Sequence, residues 1–212
     1  MTKVAAIVLA AGRSSRYRAA GGVEETKLIA PLDGAPLVRR VAQAALGSRA
    51  RPVVVVVGHA RRAVEGALEG LPVTIAFNPD YSAGLSTSLR VGLASLQDDV
   101  QGAVALLGDM PLVNIRLINR LIEAFESRPE ASAVAPVDRG RRGNPVLLAR
   151  PLFQPATQLR GDKGARGLID GLGSDRLIEI AVAGRDASYD IDQPSDLASA
   201  QRAGRAASAS PD

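Results

Sequence analysis

Apolar and polar positions along this chain repeat with two different periods. Residues 4–9 (Val-Ala-Ala-Ile-Val-Leu) form an unbroken apolar run of strand length, and residues 53–57 are five consecutive valines. Such runs predict strands covered on both faces. Residues 73–77, 103–107, 133–136, 146–148 and 177–182 are further strand candidates. Between them, apolar residues recur at helical spacing over 36–46 (Leu37, Val41, Ala44, Ala45), 61–68, 86–96 (Leu89, Leu93, Leu96), 115–125, 165–172 and 195–203. Strands alternating with helices predict an α/β fold with a doubly wound, mostly parallel sheet of Rossmann-like type. No repeat or linker interrupts the pattern. The reading is one domain over residues 1–204, followed by a small, polar tail at 205–212 that is expected to be disordered.

Composition narrows the chemistry. The chain has 212 residues, 46% of them hydrophobic, which is enough for a sizeable core. Aromatics are only 3%, so Val, Leu, Ile and Ala must fill it. The absence of cysteine excludes disulfides and thiolate metal sites, and a single histidine, His59, argues against a multi-histidine zinc centre. No 18-residue apolar run predicts a membrane span. The first apolar run is strand-length and ends in Gly and Arg, unlike a signal peptide, so the expected compartment is the cytoplasm. The net charge is +4. The arginines are scattered and stacking aromatics are few, so no nucleic-acid partner is expected; a small anionic substrate accounts for the charge. Lysine is scarce, limited to Lys3, Lys27 and Lys163.

In a doubly wound sheet, ligands bind beyond the carboxyl ends of the strands. Five loops there carry unusual residues. The first is Leu9-Ala10-Ala11-Gly12-Arg13-Ser14-Ser15-Arg16. It is neither a dinucleotide G-x-G-x-x-G turn nor a Walker A loop. Its small residues let backbone N–H groups approach a ligand, and its two guanidiniums suit phosphate oxygens. The alternative is a tight strand–helix turn with solvated arginines. Residues 17–26, with Gly21, Gly22, Glu24 and Glu25, read as mobile and lead to Lys27, either a snorkelling surface lysine or a triphosphate ligand.

The second loop is Asn78-Pro79-Asp80, followed by Gly84-Leu85-Ser86-Thr87-Ser88. Ser86 or its neighbour is expected to cap the next helix, while the other hydroxyls and the helix N-terminus suit a base edge or an anion. In the third, Leu107-Gly108-Asp109, a carboxylate follows a buried strand and needs a cation. It lies too early to cap the helix at Ile115, which favours a metal ligand. The fourth, Gly143-Asn144-Pro145, reads as a turn behind Arg139, Arg141 and Arg142, a basic rim or a solvated loop. In the fifth, Tyr189-Asp190-Ile191-Asp192, alternate carboxylates point the same way in extended chain. Asp196 belongs to the following helix start. Asp109 and Asp192, two oxygen ligands from distant loops, suit Mg²⁺.

Taken in order with Lys27-Leu28 and Gly161-Asp162-Lys163-Gly164-Ala165-Arg166, these segments span residues 4–200. The set resembles the molybdopterin nucleotidyltransferase family. The resemblance implies a nucleotidyltransferase that moves CMP from CTP to the terminal phosphate of molybdopterin or its molybdenum form, releases pyrophosphate, and serves a molybdenum hydroxylase or its chaperone. It places Leu9, Ala10, Ala11, Gly12, Arg13 and Ser14 on the triphosphate, and Asn78, Pro79, Ser86, Ser88 and Gly108 around the nucleotide. It makes Arg16, Lys27 and Asp109 catalytic, with Mg²⁺ on Asp109 and Asp192. Asn144, Lys163, Arg166 and Asp190 fall on the acceptor side. The Ala-Ala pair before Gly12 resembles the cytidylyl-transferring members. Two departures stand out: ten residues separate Arg16 from Lys27, with Tyr17-Arg18 in place of Met-Gly, and Gly143-Asn144-Pro145 stands for the usual Gly-His-Pro. Other readings are a nicotinamide-dependent pigment oxidoreductase, a non-catalytic carrier of the molybdenum cofactor, and a guanylyl- or sugar-phosphate nucleotidyltransferase. The missing G-x-G-x-x-G weighs against the first.

Overall fold

The first apolar run and the valine run pair side by side, parallel, with Ala6 opposite Val53 and Ala10 opposite Val57. Their residues divide by parity. Val4, Ala6, Val8, Val53, Val55 and Val57 enter one core cluster, and Ile7, Leu9, Val54 and Val56 enter another. This is the strand alternation of two, with both faces covered.

The computed structural model describes residues 2–183 and 185–208, without the side chains of 203–208. Its first half contains β1 (Val4–Ala10), α1 (Ser15–Ala19), β2 (Pro31–Leu32), β3 (Ala35–Pro36), α2 (Leu37–Gly47), β4 (Val53–Val57), α3 (Arg61–Ala67), β5 (Thr74–Phe77) and α4 (Leu85–Ala94). The second half contains β6 (Gly102–Leu107), α5 (Ile115–Ser127), β7 (Ala133–Asp138), β8 (Arg141–Arg142), β9 (Val146–Ala149), α6 (Phe153–Ala156), α7 (Arg166–Ile169), β10 (Leu177–Ala181) and α8 (Pro194–Ser208).

The main sheet runs β10-β7-β9-β6-β1-β4-β5, with β8 paired to β7, while β2 and β3 form a separate hairpin. Pairings among β6, β1, β4 and β5 are parallel, as is β10 with β7. The α/β expectation with a mostly parallel sheet therefore holds. Strand β9 is antiparallel to both neighbours. It enters the sheet from the end where β6 leaves it, so the turn before it lies beside the carboxyl ends of the parallel strands.

From β1 the chain winds outward through β4 to β5, then returns to place β6 on the other flank of β1. The order reverses between β1 and β6, and a crevice opens beyond their ends. Helices α2, α3 and α5 cover one face and α4, α6 and α7 the other. In α5, Leu117, Ile118, Leu121, Ile122 and Phe125 form the buried stripe. The side chain of Asn114, not Asp109, caps this helix by accepting from Leu117 N at 3.0 Å.

Several bounds differ from the sequence pattern. The helix expected over 165–172 is only one turn, Arg166–Ile169, in a stretch interrupted by Gly164, Gly167 and Gly171. The last helix runs to Ser208 instead of stopping at Ala203, so the expected tail at 205–212 begins as helical backbone; 209–212 lie outside the described residues. Among the described residues, no helix is long and apolar enough to cross a membrane.

Helix α4 lies unusually close to the sheet because Gly92 has no side chain. A Cβ there would stand 2.4 Å from Ile7 Cγ2 and 3.1 Å from Val56 Cγ2. Gly92→Val is expected to destabilise the fold by about 1–3 kcal/mol through overpacking, measured by urea unfolding against wild type.

Candidate active site

Three segments distant in sequence meet beyond β1 and β6. The chain leaves β1 through Ala11 and Gly12 and turns at Ser14, whose φ is +53°, into the short helix α1. It leaves β6 through Gly108, which is packed so closely that a Cβ would lie 3.1 Å from the Leu9 carbonyl. The third segment, 189–192, comes from the C-terminal part of the chain. Ile191 N donates to the Asp109 carbonyl at 3.0 Å, which fixes the two acidic segments side by side. Asp196 Oδ2 accepts from Asp192 N at 2.9 Å and Gln193 N at 2.8 Å. The expected association of Asp196 with the helix start is thus a capping contact.

Lys27 is where these segments join. Its Nζ lies 2.7 Å from Asp109 Oδ2 and 3.0 Å from Asp192 Oδ1. The other oxygen of Asp192 accepts from Arg16 at 2.8 Å. Burial alone lowers the Lys27 pKa, but the two carboxylates outweigh it and hold the group above the ordinary lysine value. Burial raises the Asp192 pKa, but Lys27 and Arg16 outweigh it and hold the carboxyl below the ordinary range. Asp190 moves the other way: burial, then repulsion from Asp109 and Asp192, pushes its carboxyl up.

The 17–26 excursion is held at both ends. Tyr17 is buried and packs with Ala30, Leu32, Leu37, Ile191 and Ala200. Its hydroxyl donates to Glu24 Oε2 at 2.7 Å, so that carboxylate is engaged away from Lys27. The Ser14 and Thr26 hydroxyls lie 2.9 Å apart, and Lys27 N donates to Ser14 Oγ at 3.1 Å. The mobile stretch expected from its glycines is closed as a loop that delivers Lys27 back beside the first turn.

Two cavities flank this joint. The smaller, about 400 Å³, is lined by Leu9, Ala11, Gly12, Arg13, Ser14, Lys27, Ser88 and Asp109, among others. The larger, about 1130 Å³, is lined by Asn144, Lys163, Arg166 and Asp190, with Arg139, Arg141 and Arg142 around it. Leu9, Leu85, Leu107 and Asp162 line both. All four acceptor-side candidates therefore face one space. The turn carrying Asn144 is fixed against residue 187. Asn144 N donates to the Ala187 carbonyl at 2.8 Å, and a Cβ on Gly143 would stand 2.1 Å from that oxygen.

Other nucleotide-side candidates lie behind the cavity wall. Ala10 is core, and Gly108 is the packing point described above. Asn78 is buried and donates to Thr87 Oγ1 at 2.8 Å and Ser88 Oγ at 3.0 Å, so it orients hydroxyls of α4 and does not line the cavity. Pro79 is exposed beside it. Ser86 is fully buried with an unpartnered hydroxyl, which overturns the expectation that it caps α4. The first N–H of that helix, Leu85 N, donates instead to Asp162 Oδ1 at 3.3 Å. Sequence reasoning also missed Tyr81 and Ser82, which line the smaller cavity. An Asp between Gly161 and Lys163 was the available signal for Asp162. Tyr81 and Ser82 gave none.

Two carboxylate oxygens converging on one cation fit a hard divalent metal. Among the described residues, no group of three or more His, Cys, Asp or Glu could hold one. The rest of the shell would therefore be water and substrate phosphate.

The model of the MobA-like NTP transferase domain matches residues 6–177. The chain belongs to that family. The transferase is 26% identical to the molybdenum cofactor cytidylyltransferase of Escherichia coli K12, over 95% of this chain and 97% of that one. It is 32% identical to the bifunctional protein GlmU of Syntrophotalea carbinolica over 62% of this chain, but spans only 27% of that protein. Rv0371c of Mycobacterium tuberculosis superposes with a TM-score of 0.81 at 26% identity, over 95% of this chain and 98% of that one. A complex of Rv0371c with manganese superposes at 0.78. Like the family matched here, the transferase is a nucleotidyltransferase.

The pKa shifts set a pH window for the metal-free protein. A raised lysine pKa stabilises the fold below the ordinary lysine value, and that share is lost as pH rises through the raised one. A lowered aspartate pKa stabilises above the ordinary aspartate value, and that share is lost as pH falls through the lowered one. Lys27→Met is expected to cost about 2 kcal/mol at neutral pH, discounted for the one-third exposure of Asp192. In chelator-treated protein, chemical unfolding should show this difference shrinking as pH falls below the ordinary aspartate range and as it rises above the ordinary lysine range.

Proposed function

We propose that the transferase moves CMP from CTP to the terminal phosphate of molybdopterin, in its free or molybdenum-loaded form, and releases pyrophosphate. The observation that carries this reading is the convergence of Asp109 and Asp192 on one cation, between a small cavity at the Gly12 turn and a large one edged with arginine. The cytidylyltransferase relative supports the choice of nucleotide and acceptor because the match extends over nearly the whole of both chains. The GlmU match leaves most of that protein uncovered.

In this reading the smaller cavity takes the nucleotide. Backbone N–H groups at Gly12 and Arg13 cradle the triphosphate, and Ser88, oriented by Asn78, faces the base. Ala11 leaves space at the turn. Asp109 and Asp192 would hold Mg²⁺, which would supply neutralisation of phosphate charge. Lys27, Arg13 and Arg16 neutralise the charge that gathers on the leaving pyrophosphate. The larger cavity takes the acceptor, with Lys163 and Arg166 on its phosphate and Asn144 and Asp190 on its polar body. An acceptor phosphate oxygen attacks the α-phosphorus in line as the bond to the β-phosphate oxygen breaks. Positioning and electrostatics supply most of such catalysis. The recipient of the product is a molybdenum hydroxylase or its chaperone, and the compartment is the cytoplasm.

Pyrophosphate release measured with CTP, GTP, ATP and UTP, with and without molybdenum-loaded molybdopterin, tests this function. The expected result is a signal that needs both CTP and the pterin. A signal with GTP instead moves the assignment to guanylyl transfer, and one with a sugar phosphate as acceptor overturns it. Asp109→Asn is expected to lose a factor on the order of 10²–10³ in turnover while its circular dichroism stays that of wild type.

A further inference from the structure

Lys27 stands where the metal of this reading has to stand. Its ammonium is held by Asp109 Oδ2 at 2.7 Å and Asp192 Oδ1 at 3.0 Å, and its side chain is only 13% exposed. Mg²⁺ takes oxygen ligands at roughly 2.0–2.1 Å and tolerates little distortion. An ammonium in contact with both oxygens occupies the position at which a metal would join the two carboxylates. Two cations within contact distance in a half-buried setting also repel strongly. The ammonium therefore has to leave before a metal can settle, and it leaves a buried position only for another anion.

The structure supplies one direction of escape. Lys27 lines the smaller cavity together with Gly12, Arg13 and Ser14, the turn assigned to the triphosphate. Its backbone N–H is tied to Ser14 Oγ at 3.1 Å, so the root of the side chain stays beside that turn when the tip exchanges its carboxylate partners for another anion. Arg16 stays on the far oxygen of Asp192 and keeps that carboxylate in place.

We propose that Lys27 is a resident stand-in for the metal, which makes entry of a divalent cation at Asp109 and Asp192 conditional on the nucleotide whose phosphates draw the ammonium away. Metal and nucleotide then bind as a coupled pair, and the free enzyme keeps its two carboxylates closed to metal. The proposal rests on the reading of Asp109 and Asp192 as metal ligands.

The test is Mn²⁺ binding to the full-length, chelator-treated protein without nucleotide, followed by the electron paramagnetic resonance signal of free Mn²⁺. Lys27→Met and Lys27→Gln are each expected to bind Mn²⁺ at least tenfold more tightly than wild type. Adding Asp109→Asn to Lys27→Met should abolish that gain. Arg16→Met removes an equal charge from Asp192 without vacating the position, and should change Mn²⁺ affinity less than threefold. If wild type binds Mn²⁺ alone as tightly as the Lys27 variants, and Asp109→Asn weakens that binding, the metal site stands and the stand-in is overturned. An equal gain in Arg16→Met also overturns it, because net charge alone then explains the effect. A different outcome sinks both ideas: no Mn²⁺ binding in any variant, together with water-proton relaxation of the Mn²⁺–CTP complex that is the same with wild type and Asp109→Asn.

Discussion

Three charges hold the two ends of this chain together. Asp109 follows a strand at the centre of the sheet, Lys27 closes a loop from the first strand, and Asp192 comes from beyond the last strand. Each would be costly to leave half-buried alone. Together they satisfy one another and bring the C-terminal segment to the open end of the crevice. The apolar contacts of Tyr17 with Ile191 and Ala200, and the backbone bond from Ile191 to Asp109, supply the rigidity that a lone ion pair on a surface lacks.

The sheet explains why this happens at one place. Parallel strands all end on the same side, and the reversal of order between β1 and β6 leaves a gap that no helix fills. Strand β9 adds a variation. By running against its neighbours it brings the Asn144 turn to the same edge, which enlarges the acceptor-side space without another crossover. Glycines set the tolerances: at Gly143 and Gly108 the backbone of one loop lies where another loop's side chain would otherwise be.

Much of this was legible in the residues. Unbroken apolar runs gave the strands, helical spacing gave most of the helices, and the rule that ligands sit beyond strand ends pointed to loops that the fold brings together around two cavities. The position of Asp109, too early for a cap, correctly excluded that role. The details that the residues do not foretell depend on through-space contacts. Ser86 looks like a cap in sequence, yet the carboxylate on α4 comes from Asp162, 77 positions from the Leu85 N–H that it accepts from. Asn78 sits in a motif that suggests ligand contact, but its amide is spent on hydroxyls of the next helix. The glycine-rich excursion reads as loose because its tether, a hydroxyl of Tyr17 on Glu24, is between two residues that carry no recognisable pattern.

The third member of the charge triad has a consequence for how the molecule comes into being. The family's domain model ends at residue 177, yet Asp192 lies fifteen positions beyond it. Ala187, Ser188 and Asp190, which line the larger cavity, also lie beyond residue 177, so that wall and the charge cage are both finished only when the 187–192 segment docks. Until then, Lys27 has one anionic neighbour instead of two, and Arg16 has none at that position. The acceptor-side wall and the charge cage thus close as one event, set by a segment that lies outside the matched domain.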